Sequence, residues 1–331
     1  MGTRPVPRLA LLLLALAVLA FGAAGCGRED EDDPTNDVAN AGNTTGEALS
    51  GRVIADGSST VGPLTTAAAE NFRADQAGIN VEVGISGTGG GFERFCNGET
   101  DISNASRPIK DDEEVPICEE NGIEYTEFQV AVDALTVVVN PENDWVDCLT
   151  TDQLATIWGP DAEGKVANWN QVDPSFPDQP LALAGPGTDS GTFDYFTDEI
   201  NGEEGASRSD YTPSEDDNVI VQAVSGDPGA LGYFGYTYYE ENQDKLKALE
   251  IDGGEGCVAP SVDAARDGTY TPLARPLFIY VKNESLAKPE VRAFVEYYLN
   301  NLDTIAEQAL YIPVPDEVAA ENLSELEAAG A

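Results

Sequence analysis

Apolar and polar residues follow two different spacings along the chain after about residue 50. Apolar residues at every second position predict strands, and apolar residues three or four positions apart predict helices. Thus "RVIADGSST" predicts a short strand that ends in a turn, and "GPLTTAAAENFRAD" predicts a helix with Pro63 near its first turn. Strands and helices continue to alternate towards the C-terminus, which predicts an α/β fold with mainly parallel sheets.

The remaining predicted elements follow the same alternation. Four segments are typical of strands, and the second of them has two parts: "INVEVGISG", "EYTEFQVAVDALTVVVNP", "PLALAGPGTDSGT" and "PLFIYVK". Four segments are typical of helices, the last of them long and amphipathic: "GGGFERFCNG", "TTDQLATIW", "FDYFTDEIN" and "KPEVRAFVEYYLNNLDTIAEQAL". The segment "GALGYFGYTYY" reads as a strand or a turn.

Three loops rich in glycine and hydroxyl groups each lie between a predicted strand and a predicted helix. They are "DGSSTVGPL" at 56–64, "SGTGGGF" at 86–92 and "GTDSGTF" at 187–193. Loops at the carboxyl ends of parallel strands are where open α/β sheets bind ligands. The start of a helix offers unpaired N–H groups and partial positive charge, which suit an anion.

The candidate ligands in these loops are hydroxyls and closely approaching backbone. They are Ser58, Ser59 and Thr60 in the first loop, Thr88 in the second, and Ser190, Gly191 and Thr192 in the third. Gly89, Gly90 and Gly91 let the second loop approach a ligand without side-chain interference. Ordinary helix capping explains any one of these loops. The occurrence of three in one chain favours a small anion bound between them.

Other kinds of site do not fit the same loops. A nucleotide P-loop requires G-K-[ST] after the glycines, and none follows. A serine hydrolase requires a base for its nucleophile, and the sequence contains no histidine and no G-x-S-x-G around Ser190. Without histidine or C-x-x-C, a zinc site is not expected either. We therefore predict a binding protein with no cofactor and no metal, and not an enzyme.

The strongly acidic composition limits the partners. Sixty acidic and 17 basic residues give a formal net charge of −43 at pH 7. Nucleic-acid binding requires clustered Lys and Arg, so we do not expect this chain to bind nucleic acid. An anion site in such a chain has to be local, and it has to be built from N–H groups, hydroxyls and a cation.

The N-terminal segment predicts export and a lipid anchor. Residues 1–25 combine Arg4 and Arg8 with the apolar run "LALLLLALAVLAFGAA", as in a signal peptide. The following "AAGC" is similar to a bacterial lipobox and makes Cys26 the predicted lipidation site, although Ala23 stands where such motifs usually have Leu. Residues 26–49 are polar and acidic and predict a flexible tether. We expect attachment to the outer face of the cell membrane, or a periplasmic location.

Four further cysteines predict two disulfides in an exported chain. Three pairings are possible. We favour Cys96–Cys118, which closes a short local loop, and Cys148–Cys257, which then lies within one domain.

Five segments in order resemble the phosphate-binding proteins of bacterial phosphate ABC transporters, the PstS family. They are "DGSSTVGPLT", "GTGGGFERFCNGETDISNASRPI", "LTVVVNPENDW", "GTDSGTFDYF" and "GALGYFGYTYY". The resemblance covers the chain from about residue 50 to its end. It implies a two-lobed type II periplasmic binding protein with a hinge and a ligand cleft between the lobes. It also implies inorganic phosphate as the ligand, delivery to a membrane permease, and action as a monomer.

The resemblance also implies roles for particular residues. Ser59 and Thr60, with Ser58 beside them, Thr88, and Ser190 to Thr192 match the family's phosphate ligands. Well-known members have a proton-accepting Asp where this chain has Arg107, and an Arg where it has Pro186. We interpret Arg107 as a cation that has moved from one loop to another; the alternative is a surface arginine paired with an acid.

The exchange at Arg107 leaves two questions open. The proton acceptor for phosphate is then Asp56, Asp101 or Asp189, and we favour Asp189 because it lies within the third loop. It also leaves sulfate, molybdate or a phosphonate as alternative ligands, and a secreted phosphatase as an alternative of another class.

In the implied fold the chain crosses between the lobes near 130–135 and again near 271–277. Lobe one then comprises 50–132 and 274–331, and lobe two comprises 133–273.

Overall fold

The computed structural model describes residues 49–188 and 190–329, so the predicted signal peptide, Cys26 and nearly all of the tether lie outside the described residues. Its strands are β1 Gly51–Gly57, β2 Ile79–Val83, β3 Ile102–Ala105, β4 Tyr125–Val139, β5 Cys148–Thr150, β6 Ala182–Pro186, β7 Thr212–Ser214, β8 Ala230–Gly235, β9 Lys247–Ala248, β10 Glu250–Asp252, β11 Cys257–Val258 and β12 Ala274–Lys282. Both β1 and β2 lie where the period-two pattern predicts them.

The helices alternate with these strands. They are α1 Gly62–Asp75, α2 Gly87–Cys96, α3 Val115–Glu120, α4 Thr151–Trp158, α5 Gly191–Asn201, α6 Asp217–Gly226, α7 Tyr236–Glu241, α8 Val262–Arg266, α9 Asn283–Leu286, α10 Pro289–Asn300, α11 Leu302–Gln308 and α12 Asp316–Ala329, with 3₁₀ turns at Pro160–Ala162 and Trp169–Gln171. The predicted long helix after residue 288 is wrong, because it is divided near Asn301 into α10 and α11. The segment "GALGYFGYTYY" forms β8 and then α7.

One sheet of nine strands carries the fold. Its order is β2-β1-β3-β12-β4-β8-β6-β7, with β9 paired to β4, and a separate sheet has the order β11-β10-β5. The outer strands on both sides pair in parallel, whereas β12 is antiparallel to β3 and β4, and β4 is antiparallel to β8 and β9. The prediction of mainly parallel sheets is therefore wrong at the centre, where β4 and β12 run against their neighbours. The parallel strands place the loops after β1, β2 and β6 ahead of helices α1, α2 and α5, as the strand–helix alternation predicts.

Strand β4 joins two hydrophobic cores. Its first part, up to Ala134, pairs with β12, and its last five residues, from Leu135, pair with β8. The larger cores on either side contain Phe128 and Phe294 in one, and Trp158 and Tyr233 in the other. Every buried member of the first lies within 50–132 or 274–331, and every one of the second within 133–273. The lobe boundaries themselves stay a prediction.

Both predicted disulfides are present. Cys96 bonds to Cys118, and Cys148 bonds to Cys257. The first links α2 to α3, and the second links β5 to β11 across the small sheet. Among the described residues, no helix is both long and apolar enough to span a membrane.

Candidate functional site

The first glycine–hydroxyl loop turns the chain from β1 into α1. Ser58 is buried, and its hydroxyl accepts hydrogen bonds from the N–H groups of Thr60 at 3.1 Å and Val61 at 3.4 Å. This hydroxyl therefore caps the turn, which is the ordinary role of serine at the start of a helix. The capped turn fixes the positions of Ser59 and Thr60 at the edge of the sheet.

The second loop packs closely against β1 and β3. The Thr88 hydroxyl accepts a hydrogen bond from the N–H of Ser106 at 3.2 Å and lies 2.9 Å from the Ser106 hydroxyl. A side-chain carbon built on Gly91 lies 2.5 Å from the Cα of Gly57. The glycine at 91 is thus required for the packing of α2 on β1, whereas Gly89 faces Arg107 at the cleft.

The third loop approaches the first. Ser190 caps α5 by accepting the N–H of Thr192 at 3.2 Å. A side-chain carbon built on Gly191 lies 2.7 Å from the Thr60 hydroxyl oxygen and 3.3 Å from that of Ser59. The first and third loops, about 130 residues apart in the sequence, thus contact each other. The sequence analysis predicts that the glycine–hydroxyl loops lie close together. Asp189 lies outside the described residues.

A cleft of about 680 Å³ contains parts of all three loops. Its walls include hydroxyl and glycine residues of the loops, namely Ser58, Ser59, Thr60, Ser86, Gly87, Thr88, Gly89, Gly90 and Gly191, together with Ser106. Such walls present N–H and O–H donors, which are the groups that a desolvated oxyanion requires.

Arg107 lies in the wall of this cleft with a partner of its own. Its Nη1 and Nη2 donate to the two carboxylate oxygens of Glu114 at 2.9 and 2.7 Å, and its side chain is 34% exposed. The ion pair raises the pKa of Arg107 further above its usual value. Both readings of this residue from the sequence thus apply in part, since it faces the cleft and is also paired with an acid. Its role as a phosphate ligand stays a prediction.

Two of the three candidate proton acceptors are engaged elsewhere. Asp56 accepts from the Ser86 hydroxyl at 2.7 Å and pairs with Arg94. Asp101 accepts from the N–H of Ile54 at 3.0 Å and from Lys288 at 2.8 Å, and these bonds hold its pKa below the usual value despite the opposing effect of burial. Neither carboxylate is part of the cleft wall.

Arg275 is a cleft residue that the sequence analysis missed. It lies on β12, and its Nη2 donates to the Thr60 hydroxyl at 3.1 Å and to the Asp133 carboxylate at 3.3 Å. The signal available was a charge of opposite sign in each of two buried strands, "VAVDAL" and "PLARPL". Because buried charges require partners, such a pair predicts a contact between the strands.

Acidic side chains also line the cleft, on and after α5. They are Asp194, Asp198, Glu199 and Glu204. Burial, with the nearby charge of Glu204, raises the pKa of Asp194 to about 6 although Arg275 opposes the shift. Desolvation and the neighbouring Asp198 raise the pKa of Glu199 as well. The three glycine–hydroxyl loops therefore share the cleft with these four acidic residues, called the acidic rim below.

The raised pKa of Asp194 predicts a pH-dependent stability. The native state keeps this proton up to about pH 6, whereas the unfolded chain loses it near pH 4. The increment of stability is therefore present at low pH and is lost as the pH rises towards and through 6. We expect Asp194→Asn to stabilise the ligand-free protein relative to wild type more at pH 7 than at pH 4.5, as measured by urea unfolding. The exposed neighbour Asp198 offers the control, Asp198→Asn; an equal pH trend in both variants would contradict the assignment.

Comparison with known protein families agrees with the strand and loop arrangement. Residues 42–301 match the family model described as the PBP superfamily domain. The protein SphX of Synechococcus elongatus is 55% identical over 80% of this chain and 77% of its own length. The phosphate-binding protein PstS of Staphylococcus saprophyticus is 38% identical over 94% of this chain and 91% of its own.

A solved structure extends the comparison to three dimensions. A possible phosphate binding protein from Planctomyces limnophilus is 46% identical, and the alignment covers 86% of this chain and all of that one with a TM-score of 0.82. The family match and this structure confirm the predicted fold class, a two-lobed α/β protein with a cleft between its lobes.

Proposed function

The chain belongs to the PBP superfamily and, within it, to the PstS family of phosphate-binding proteins, and from this premise we propose that it captures inorganic phosphate for an ABC importer. The family consists of receptors that bind a substrate, and the cleft described above offers donors for a ligand. We therefore propose binding without chemical conversion of the ligand.

The observation that carries the proposal is the contact between the first and third loops. Gly191 lies against the hydroxyls of Ser59 and Thr60, so the start of α5 and the turn before α1 face the same point. Each contributes N–H groups that are free of a helical partner. Since charge-assisted hydrogen bonds are the strong ones, several such donors bind a small oxyanion tightly.

We assign the ligand-binding residues from the sequence motifs; among the described ones, all except Ser190 and Thr192 also line the cleft. The proposed donors to phosphate are Ser58, Ser59, Thr60, Thr88, Arg107, Ser190, Gly191 and Thr192. Asp189, within the third loop, is the proposed acceptor of the phosphate proton. Because both sides of the cleft contribute, closure of the two lobes about the crossing strands would complete the site.

We further propose that the protein works outside the cytoplasm as a lipoprotein. Its predicted signal peptide, lipobox cysteine and acidic tether support export, lipidation of Cys26 and attachment to the membrane near a permease. Detergent partition tests this: the protein should enter the detergent phase and Cys26→Ser the aqueous phase. Equal partition of the two would refute the anchor.

Isothermal titration with phosphate and then sulfate tests the binding function. We expect phosphate to bind with a dissociation constant of about 1 μM or lower and sulfate to bind at least about 100-fold more weakly, a difference of about 2.7 kcal/mol. Tight sulfate binding would instead support a receptor for a fully deprotonated oxyanion. The presence of Arg107 where other members have an aspartate favours that alternative. Binding of neither anion would refute the proposal.

A further inference from the structure

Arg275 occupies a special place among the cleft residues because it comes from a crossing strand. It lies on β12 directly opposite Asp133 on β4, and these two strands connect the two hydrophobic cores. Neighbouring residues of antiparallel strands project to the same face of the sheet. Arg275 and Asp133 therefore project together, and Arg275 lines the cleft.

Contacts on three sides hold the guanidinium group in one orientation. Its Nε and Nη2 each lie 3.3 Å from the same Asp133 oxygen, and Nη2 donates to Thr60 at 3.1 Å. Its central carbon lies 3.6 Å from the centre of the Tyr195 ring, which is on α5. Stacking on an aromatic ring fixes the plane of an arginine, and the ion pair fixes its rotation within that plane.

Burial of the Arg275–Asp133 ion pair costs the free energy of removing both charges from water. The side chains of Asp133 and Arg275 are 4% and 17% exposed. Desolvation raises the pKa of Asp133, and the charge and hydrogen bonds of Arg275 act against that shift. A buried ion pair is often no more stabilising than apolar residues of the same volume. Its cost therefore points to a use beyond folding.

A count of the donors shows what remains for a ligand. Arginine has five N–H donors, of which Nε and Nη2 supply the bonds to Asp133 and Thr60. The two N–H groups on Nη1 have no acceptor among residues 49–188 and 190–329. In Arg107, by contrast, both Nη1 and Nη2 already donate to Glu114.

We propose that Arg275 is the principal cationic ligand of the bound anion, donating through Nη1, and that Asp133 and Tyr195 are its positioning residues. The proposal rests on the proposed phosphate-binding function, and it adds an arginine of a crossing strand to the groups that bind phosphate. Because Thr60 and Tyr195 lie on elements of the two predicted lobes, a ligand held by Arg275 also draws on contacts from both. Nη1 carries two N–H groups, and each can donate a charge-assisted hydrogen bond to an oxygen of a tetrahedral oxyanion.

Titration of phosphate into three full-length variants tests the proposal. Arg275→Lys keeps the charge that Asp133 requires but loses the fork and the stacking, and we expect about 30-fold weaker binding. Asp133→Asn combined with Arg275→Gln leaves a neutral pair of similar shape, and we expect about 100-fold weaker binding. The third variant, Arg107→Lys, should lose less than Arg275→Lys, because the Arg107 fork is shared with Glu114. The matched control for all three is Arg208→Lys: this buried arginine pairs with Asp210 outside the cleft wall, and we expect the affinity of wild type.

The possible results separate this inference from the function on which it rests. If wild type does not bind phosphate, the proposed function fails, and the role of Arg275 fails with it. If wild type binds phosphate and both Arg275 variants bind within about threefold of it, the function stands and this inference is overturned. A loss for Arg107→Lys larger than that for Arg275→Lys would also overturn it.

Two further measurements exclude a merely structural effect. Thermal unfolding of the ligand-free variants shows whether a loss of affinity reflects a loss of fold. Should the variants fail to fold, a crystal structure of wild type grown with phosphate decides the question: a phosphate oxygen within about 3.2 Å of Nη1 supports the proposal. A bound phosphate beyond hydrogen-bonding reach of Arg275 overturns it.

Discussion

Gly191→Ala is expected to weaken phosphate binding about 100-fold without unfolding the protein. The added methyl carbon would lie 2.7 Å from the Thr60 hydroxyl oxygen and 3.3 Å from the Thr60 nitrogen, so the first and third loops would have to move apart. Hydrogen bonds to a charged group contribute about 1.5–3 kcal/mol each. Since about 1.4 kcal/mol corresponds to tenfold in affinity, the weakening of two such bonds gives this loss.

Gly226→Ala is the matched control for this substitution. A side-chain carbon at Gly226 meets nothing within 4 Å, and the residue lies at the end of α6, away from the cleft wall. Titration calorimetry should give this variant the affinity of wild type, and thermal unfolding should show both variants to be folded. An affinity of Gly191→Ala within about threefold of the control would mean that the two loops do not jointly bind the anion.

Removal of the Cys148–Cys257 disulfide is expected to lower the stability of the protein more than removal of the Cys96–Cys118 disulfide. The bonded residues are 109 positions apart, against 22 for Cys96–Cys118. In the chain-entropy account, a disulfide that closes a loop of about 100 residues contributes about 4.7 kcal/mol and one of about 15 residues about 3 kcal/mol. We expect the double replacement by alanine at 148 and 257 to lower the free energy of unfolding by about 4 kcal/mol.

The alanine pair at 96 and 118 serves as the comparison, with an expected loss of about 3 kcal/mol. Urea unfolding followed by tryptophan fluorescence measures both, with circular dichroism as a second probe of whether each transition is two-state. If the 96–118 variant unfolds at a lower urea concentration than the 148–257 variant, loop length does not decide these contributions.

Local sequence patterns were sufficient for the elements that surround the site. Pro63 and the alternating residues before it place β1 and α1, and the helical spacing in "TTDQLATIW" places α4, which Thr150 and Gln153 then cap in the structure. The three loops also follow directly from strand–helix junctions. These elements depend on residues within one turn or strand of each other, and for that reason they can be predicted from the sequence.

The position of Arg275 in the cleft depends instead on long-range pairing of strands. Arg275 meets Asp133 because β12 pairs with β4 in one register, and the two residues are 142 positions apart. A shift of that register by one residue would turn both side chains to the other face. Arg107 lies in a recognisable motif, whereas its pairing with Glu114 depends on the turn before α3.

The acidic rim of the cleft has a consequence for the speed of capture. A phosphate ion that enters the cleft meets the charges of Asp194, Asp198, Glu199 and Glu204, within the field of a chain whose formal charge is −43. Such a field slows the encounter with an anion, and dissolved salt screens it over about 10 Å at 0.1 M and about 3 Å at 1 M. The association rate constant, measured by stopped-flow fluorescence, should therefore rise with sodium chloride concentration. A receptor with this rim collects its ligand fastest in saline surroundings and most slowly in fresh water.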